Sequence, residues 1–450
     1  MLDRHPQSFG NYFTYGAALS ILGVPPASVF LGGSMKLAPT YCDFGYMWSQ
    51  IGPPESALAA LQAGISRDEA ASYSPDMTDE LRDIVAELMF GRRRDAAFDV
   101  LGTEGAQGAI GYSFLSFLDP GDEVIITDPA YMHFGPGPGI AGARVRTIPL
   151  SPANRFRLDP DEVAATFTRR TKMLVVCDPI NPFGVVQTKE ELLALARLCE
   201  RRNVLILHNT THATHRTNPA AVHTPLAALS NETSVDHVIS ISGVSKGYGL
   251  ASLRLGFMAG HPNLLCAAAR IRMEVTGIHI NPFAQRAALA ALQDRPYVQD
   301  ATNILRRNLR HLRETLERIG EVHLTAIPDY GFCACLDVAA SGISAQELTV
   351  ALFRRGICVI AGDALGEVGA TRYVRLNYST PEIGNLERLR HALPLAIRDA
   401  RSGRYLEGIK AFYRNHPTSR ARRILATLEA RVQVATARGT AHPVKSQMHA

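Results

Sequence analysis

The chain predicts an α/β fold, in which a large domain carries a mostly parallel sheet wrapped by helices and a smaller α+β domain follows it. Three observations carry this expectation. Short apolar runs, among them Val124-Ile125-Ile126, Met173 to Cys177 and Val204 to Leu207, recur between amphipathic stretches, as buried parallel strands alternate with helices. Phe98 to Leu101 runs into Gly102-Thr103-Glu104-Gly105-Ala106-Gln107-Gly108 and then a helix through Leu118, so strand, glycine turn and helix follow one another. Polar motifs stand directly after apolar runs, where such a sheet presents its ligand groups. The totals agree. At 450 residues the chain is long enough for two or three domains, and 46% hydrophobic with 20% charged residues is ordinary for a globular enzyme. A net charge of +5, with no basic block interleaved with aromatics before the tail, speaks against nucleic acid as a partner. The first residues carry no signal pattern and no apolar run reaches membrane length, so a cytoplasmic protein with no membrane partner is expected. Seven cysteines (42, 177, 199, 266, 333, 335, 358) show no metal-ligand spacing; no metal is expected, and they read as reduced, buried thiols.

The elements follow in order. Asn11 to Leu22 forms a short helix, and Ser28 to Leu31 a strand ended by Gly32-Gly33. Pro53 to Ile65 is a helix, and Thr78 caps an amphipathic helix that runs to Met89. Asp119-Pro120-Gly121 turns the chain into the buried strand at 122–126. Thr188 caps a helix to Arg202 with acids in its first turn. His237 to Ser242 and Leu255 to Ala259 are strands on either side of a glycine-rich loop. Asn263 to Glu274 and Pro282 to Leu292 are helices, and Asp300 to Ile319 is the long helix that links the two domains. The smaller domain holds strands at Gly331–Asp337, Gly356–Gly362 and Arg372–Tyr378, with helices at Ser344–Arg355 and Glu382–Asp399. Arg401 to Arg414 and Thr418 to Val434 are helical and basic, either for subunit contacts or, more simply, as a solvated tail, and Ala435 to Ala450 is disordered. The expected division is an N-terminal arm at 1–45, a large domain at 46–295, a small domain at 296–400 and an extension at 401–450.

The chemistry centres on Gly243-Val244-Ser245-Lys246-Gly247-Tyr248-Gly249 and the run to Gly256. Small residues let a ligand approach the backbone. A lysine among cations and away from water becomes a nucleophile towards an aldehyde, and Arg254 suits a phosphate oxygen. The run resembles the S-K-x-x-x-x-x-x-x-R-x-G signature of aminotransferase class I/II, the fold-type-I pyridoxal-phosphate enzymes. The resemblance spans roughly residues 28–400 and implies pyridoxal 5'-phosphate as cofactor, an amino-acid substrate and a homodimer with shared sites. It makes Lys246 the Schiff-base lysine, with Ser245 and Arg254 on the phosphate. Gly105, Ala106 and Gln107 sit where the family places its phosphate cradle, at a helix N-terminus whose free N–H groups and dipole favour an anion.

Other motifs agree. Asp128-Pro129-Ala130-Tyr131 resembles D-P-x-Y, in which the aromatic ring, here Tyr131, stacks on the cofactor. Asp178-Pro179-Ile180-Asn181-Pro182-Phe183-Gly184 is similar to N-P-x-N-P-T-G, and its rigid loop aims Asn181 at the cofactor's phenolate oxygen. Tyr73 and the run to Arg82 resemble Y-x-x-x-x-G-x-x-x-L-R, whose tyrosine reaches a neighbouring subunit's phosphate. Arg375 in Val374-Arg375-Leu376-Asn377 matches the arginine that pairs with a substrate α-carboxylate. The glycine turn at Gly33 is the one the resemblance brings to the substrate pocket; an ordinary surface arm reads as well.

One departure changes the chemistry. Family members carry D-E-x-Y after the next strand; here His208-Asn209-Thr210-Thr211-His212 stands there. Asn209 replaces the aspartate that faces the pyridine nitrogen, and His212 replaces the tyrosine that bonds the phenolate oxygen. A neutral amide supplies no charge to keep that nitrogen protonated. Three readings stay open: an aminotransferase that tolerates the change; a specialised enzyme of elimination, replacement, cyclisation or carbon–carbon bond formation, S-adenosylmethionine being one candidate substrate; and an inactive binding protein.

Overall fold

The computed structural model describes residues 15–23, 40–64, 66–74, 76–277 and 279–437. The expected strand at 28–31 and Gly33 lie outside them, as do residues 438–450 of the expected disordered end. Among the described residues thirteen strands form three sheets. In chain order they are β1 (Cys42–Asp43), β2 (Asp99–Thr103), β3 (Glu123–Asp128), β4 (Arg144–Pro149), β5 (Thr171–Cys177), β6 (Leu205–Asn209), β7 (Val238–Gly243), β8 (Gly256–Gly260), β9 (His323–Leu324), β10 (Cys333–Asp337), β11 (Ile357–Cys358), β12 (Ile360–Ala361) and β13 (Tyr373–Asn377).

The large sheet has seven strands in the order β2-β8-β7-β6-β5-β3-β4, and every pairing is parallel except the two made by β8. The predicted mostly parallel α/β architecture is therefore present. Its central strands are largely apolar because helices cover both faces: Val124, Ile125, Met173, Leu174, Val176, Ile206 and Leu207 are all buried. The chain steps outward from β3 to β4 and returns to the other side of β3 for β5. The carboxyl ends of β3 and β5 thus flank a crevice of the kind that takes ligands in open α/β sheets.

Local signals set the helices. Thr188 and Glu191 make a reciprocal capping box at Lys189–Arg202, and Asn203 ends that helix in the left-handed region. Asp294 caps the helix Arg295–Ile319, which starts earlier than the sequence suggests and buries Ala301, Leu305, Leu309, Leu312 and Leu316 along one stripe. That helix leads to the small antiparallel sheet, ordered β12-β13-β10-β9, with Arg375 opposite both Cys335 and Ile360. The stretch 356–362, expected as one strand, is split: β11 pairs with β1 while β12 joins β13. Asp128, at the end of β3, accepts the N–H groups of Glu367 (2.9 Å) and Val368 (3.2 Å), so the large sheet is bonded to the loop before β13.

Two expectations need correction. Cys266 is exposed, unlike the other six free thiols. The C-terminal helices Leu406–Asn415 and Ser419–Ala437 are not a solvated tail. Their amphipathic faces bury Ile409, Tyr413, Ala421, Ile424 and Leu428 in the same core as Val374 and Leu376. Tyr413 Oη donates to Asp363 Oδ2 (2.9 Å), Arg420 Nη1 donates to the Asp363 carbonyl (2.9 Å), and Arg423 pairs with Glu367. Exposed basic residues such as Arg414, Arg422 and Arg423 suggested solvation and hid the apolar stripe. Leu428→Ala is expected to destabilise the protein by about 3 kcal/mol, the usual cost of emptying a closed apolar site, and a urea midpoint with unchanged m-value would measure it.

Candidate active site

The crevice holds a cavity of about 140 Å³. It is closed on one side by the helix Gly105–Phe117, whose N-terminus has no side-chain cap and so leaves its first N–H groups free. Ala106 and Gln107 line the cavity at that end, together with Ser245 and Arg254. Gly105 (φ +75°) and Gly256 let two segments meet there. A Cβ on Gly105 would lie 2.4 Å from Arg254 Nη2, and one on Gly256 would lie 2.2 Å from the Gly105 carbonyl carbon. The result is an anion cradle of backbone N–H groups, a hydroxyl and a guanidinium.

The other end is polar and neutral apart from one amine. Tyr131 forms a wall, its hydroxyl donating to Gln107 Oε1 (3.3 Å), and burial pushes its phenol up to about 12. Asn181, on the loop after β5, faces Cys333 Sγ through its carbonyl oxygen (3.7 Å). Lys246 lies opposite, on the short helix Val244–Gly247 after β7. Burial lowers its amine to about 8, with Arg375 and Arg254 adding to the effect. His212 is held neutral, its pKa lowered to about 3 by burial and then by Lys246 and Arg375, and its Nδ1 is buried with no hydrogen-bond partner. No carboxylate stands among the described residues that line the cavity.

Asn209, the last residue of β6, is fixed by its neighbour Thr211. Its Oδ1 accepts the Thr211 N–H (3.0 Å) and also the Thr211 hydroxyl. A backbone N–H can only donate, so the atom it meets must be the amide oxygen. That settles the rotation of the amide and leaves Nδ2, a donor, as the free end of a side chain that lines the cavity.

Nine of the nominated residues therefore line one cavity: Ala106, Gln107, Tyr131, Asn181, Asn209, His212, Ser245, Lys246 and Arg254. Gly105 packs beneath Arg254. Arg375 is buried behind them on β13. Its Nη2 donates to the Gly45 carbonyl (3.1 Å), while its Nε has no partner. Tyr73 is away from the cavity, 82% exposed, with its ring 4.4 Å from that of His279. Gly33 cannot be placed among the described residues. The segment 43–50 was missed. The carbonyl of Met47 accepts from Lys246 Nζ, and Asn377 Nδ2 holds the carbonyls of Tyr46 and Trp48 (both 2.8 Å). Asp43-Phe44-Gly45, a strand end followed by glycine, was the available signal. Cys177 and Thr211 also line the cavity and were not nominated; Thr211, two residues after an Asn, is the usual partner in an Asx turn.

Comparison with known proteins is consistent across sequence and structure. The profile of the family described as aminotransferase class I and II matches residues 43–393. An aspartate/prephenate aminotransferase of Thermus thermophilus is 30% identical over 352 residues, covering 76% of this chain and 86% of that one. An aspartate aminotransferase of Pyrococcus abyssi is 26% identical over 332 residues, covering 72% and 83%. Among solved structures, a double mutant of Thermus thermophilus aspartate aminotransferase superposes with a TM-score of 0.74 at 24% identity, covering 87% of this chain and all of that one (100%), and so shares the fold.

Proposed function

The chain belongs to the aminotransferase class I and II family, and from that premise we propose that it acts on an amino acid with a free α-carboxylate, moving the Cα proton with Lys246, in specialised metabolism. It is an aminotransferase-like enzyme of a family that uses pyridoxal phosphate. The observation that carries the reading is the buried Lys246 amine, lowered to about 8 between two arginines and facing an uncapped helix N-terminus across one cavity. A soluble anion at one end and an amine-reactive carbonyl at the other is what such a cavity accommodates.

The residues present fit pyridoxal phosphate. Ala106, Gln107, Ser245 and Arg254 would hold its phosphate, with Gly105 giving them room. Tyr131 would cover the ring, Asn181 and His212 would hold the phenolate oxygen, and Asn209 would face the ring nitrogen. When bound, the cofactor supplies an electron-withdrawing ring that weakens the bonds at the Cα of an attached amino acid. Lys246 would hold the cofactor, and its Nζ is the base that would accept the Cα proton. Arg375 carries a buried Nε with no partner, an unmet donor suited to a carboxylate. Tyr73, exposed beside His279, is free to meet a second copy of the chain, which supports a homodimer that shares its sites.

Asn209 favours a second reading. With Oδ1 taken by Thr211, its amide would donate to the ring nitrogen, and a nitrogen that accepts such a bond carries no proton. The electron sink is then weak, which suits reactions that discharge the Cα electron pair at once, such as elimination or replacement of a good leaving group. Aspartate and S-adenosylmethionine added singly to the cofactor-loaded enzyme separate the two. Conversion of the absorption band to that of the amine form, with a keto acid released, supports transamination. A transient band that returns without amine form, with the leaving group released and any keto acid matched by ammonia, supports the second reading. Absence of any cofactor band after loading overturns both.

A further inference from the structure

We propose that Asp178, His208 and His223 form a binding site for one divalent transition-metal ion of the zinc type, directly behind the cofactor cavity. The three side chains come from separate parts of the chain: the loop after β5, strand β6 and the segment before Leu226. Asp178 Oδ2, His208 Nε2 and His223 Nε2 lie within 4.8 Å of one another. All three atoms are buried and none has a hydrogen-bond partner. The side chains of Asp178 and His208 are fully enclosed, and that of His223 is 6% exposed. Three unpaired polar atoms aimed at one point carry a desolvation cost that native interiors rarely leave uncompensated.

The separations say what would compensate it. His208 Nε2 is 3.5 Å and His223 Nε2 is 3.4 Å from Asp178 Oδ2. A charge-assisted N–H···O bond is roughly 2.7–2.9 Å long, so both histidines stand at ion-pair distance from the carboxylate but beyond the length of a good hydrogen bond. A bridging water fits poorly, since bonds of about 2.8 Å to two atoms 3.4 Å apart close its angle to roughly 75°. An ion bound at about 2.0–2.1 Å to the same two atoms subtends roughly 110°, the tetrahedral value. Two imidazoles and one carboxylate are a common donor set for zinc, with a fourth position left for water.

The surroundings agree. Gln187 N–H donates to Asp178 Oδ1 (2.9 Å) and so turns Oδ2 towards the histidines. Thr210, Ser242, Tyr330 and His223 line a cavity of about 510 Å³, which offers an entry path and space for the water. His208 Nδ1 accepts the Leu226 N–H at 3.4 Å, which puts the ring proton of the metal-free chain on Nε2. When the metal takes the Nε2 position the ring proton moves to Nδ1, which gives up that long contact with no net release of a proton from this ring. The ion would tie β5 to β6 at the point where the Asp178 N–H already meets the Asn209 carbonyl (2.9 Å), and so would fix the loop that carries Asn181.

The test is metal analysis of the full-length, cofactor-loaded protein. The protein is stripped with a chelator, loaded with zinc and desalted, and a parallel sample receives cobalt. One zinc per chain and the visible bands of four-coordinate cobalt are expected. His223→Ala, at the cavity edge, should bind zinc at least about 100-fold more weakly while keeping the wild-type circular dichroism and cofactor absorbance. Asp178→Asn should weaken binding to a similar degree, and Cys266→Ser, which removes the exposed thiol, should not change it. Less than a tenth of an equivalent of zinc in loaded wild type, or equal retention by His223→Ala, overturns the site.

Discussion

Lys246→Ala abolishes turnover, lowering kcat by at least about 10⁴-fold, because the same amine both holds the cofactor and moves the proton. The cradle is untouched by this substitution: Ala106, Gln107, Ser245 and Arg254 still offer an anion site. The variant therefore binds the cofactor, but releases it on dialysis, whereas the wild type retains it. A pH series adds a second reading of the same residue. Only the neutral amine attacks an aldehyde, and burial with Arg375 and Arg254 lowers Lys246 to about 8. Attachment of added cofactor should accelerate as the pH rises through about 8, well below the range of an ordinary lysine. A variant with wild-type turnover would remove Lys246 from the chemistry.

Asn209→Asp is expected to accelerate the transamination half-reaction by about 10- to 100-fold. The substitution is nearly isosteric. The Thr211 N–H and hydroxyl, which now bond Asn209 Oδ1, donate equally well to one oxygen of a carboxylate. The other oxygen then stands where the amide nitrogen was, next to the ring nitrogen. A negative charge there favours the protonated ring, and each unit of pKa is worth about 1.4 kcal/mol. A shift of one to two units covers the expected range. Stopped-flow absorbance of the cofactor on mixing with aspartate would measure it. A slower or unchanged reaction would mean that residue 209 does not set the state of the ring nitrogen. A faster one, with a wild-type enzyme that performs elimination, would show that the asparagine selects between reactions.

Most of the cavity was legible because short patterns determine it. A strand, a glycine turn and a helix define the cradle at Gly105, and two prolines with a glycine rigidify the loop around Asn181. The orientation of Asn209 was equally local, two residues from Thr211, but needed a hydrogen bond that sequence does not display. What stayed hidden depends on residues far apart in the chain. Gly45 meets Arg375 and Met47 meets Lys246 through backbone carbonyls, which have no residue-type signature. Asp178 read as part of a loop motif and His208 as a strand residue; their meeting with His223 needs the register of β5 against β6, where Cys177 faces Asn209. The C-terminal helices misled by composition, since their basic outer face outweighs a stripe of buried residues when only charge is counted.

The packing of those helices also bears on how the protein opens in solution. Tyr413 and Arg420 are bonded to Asp363, Arg423 is paired with Glu367, and the Glu367 and Val368 N–H groups reach Asp128, three residues before Tyr131. Helices held this way do not fray independently. Their amides should exchange with deuterium at the slow rate of the small sheet, as one cooperative unit, and whatever tightens the crevice should slow exchange in the helices Leu406–Asn415 and Ser419–Ala437.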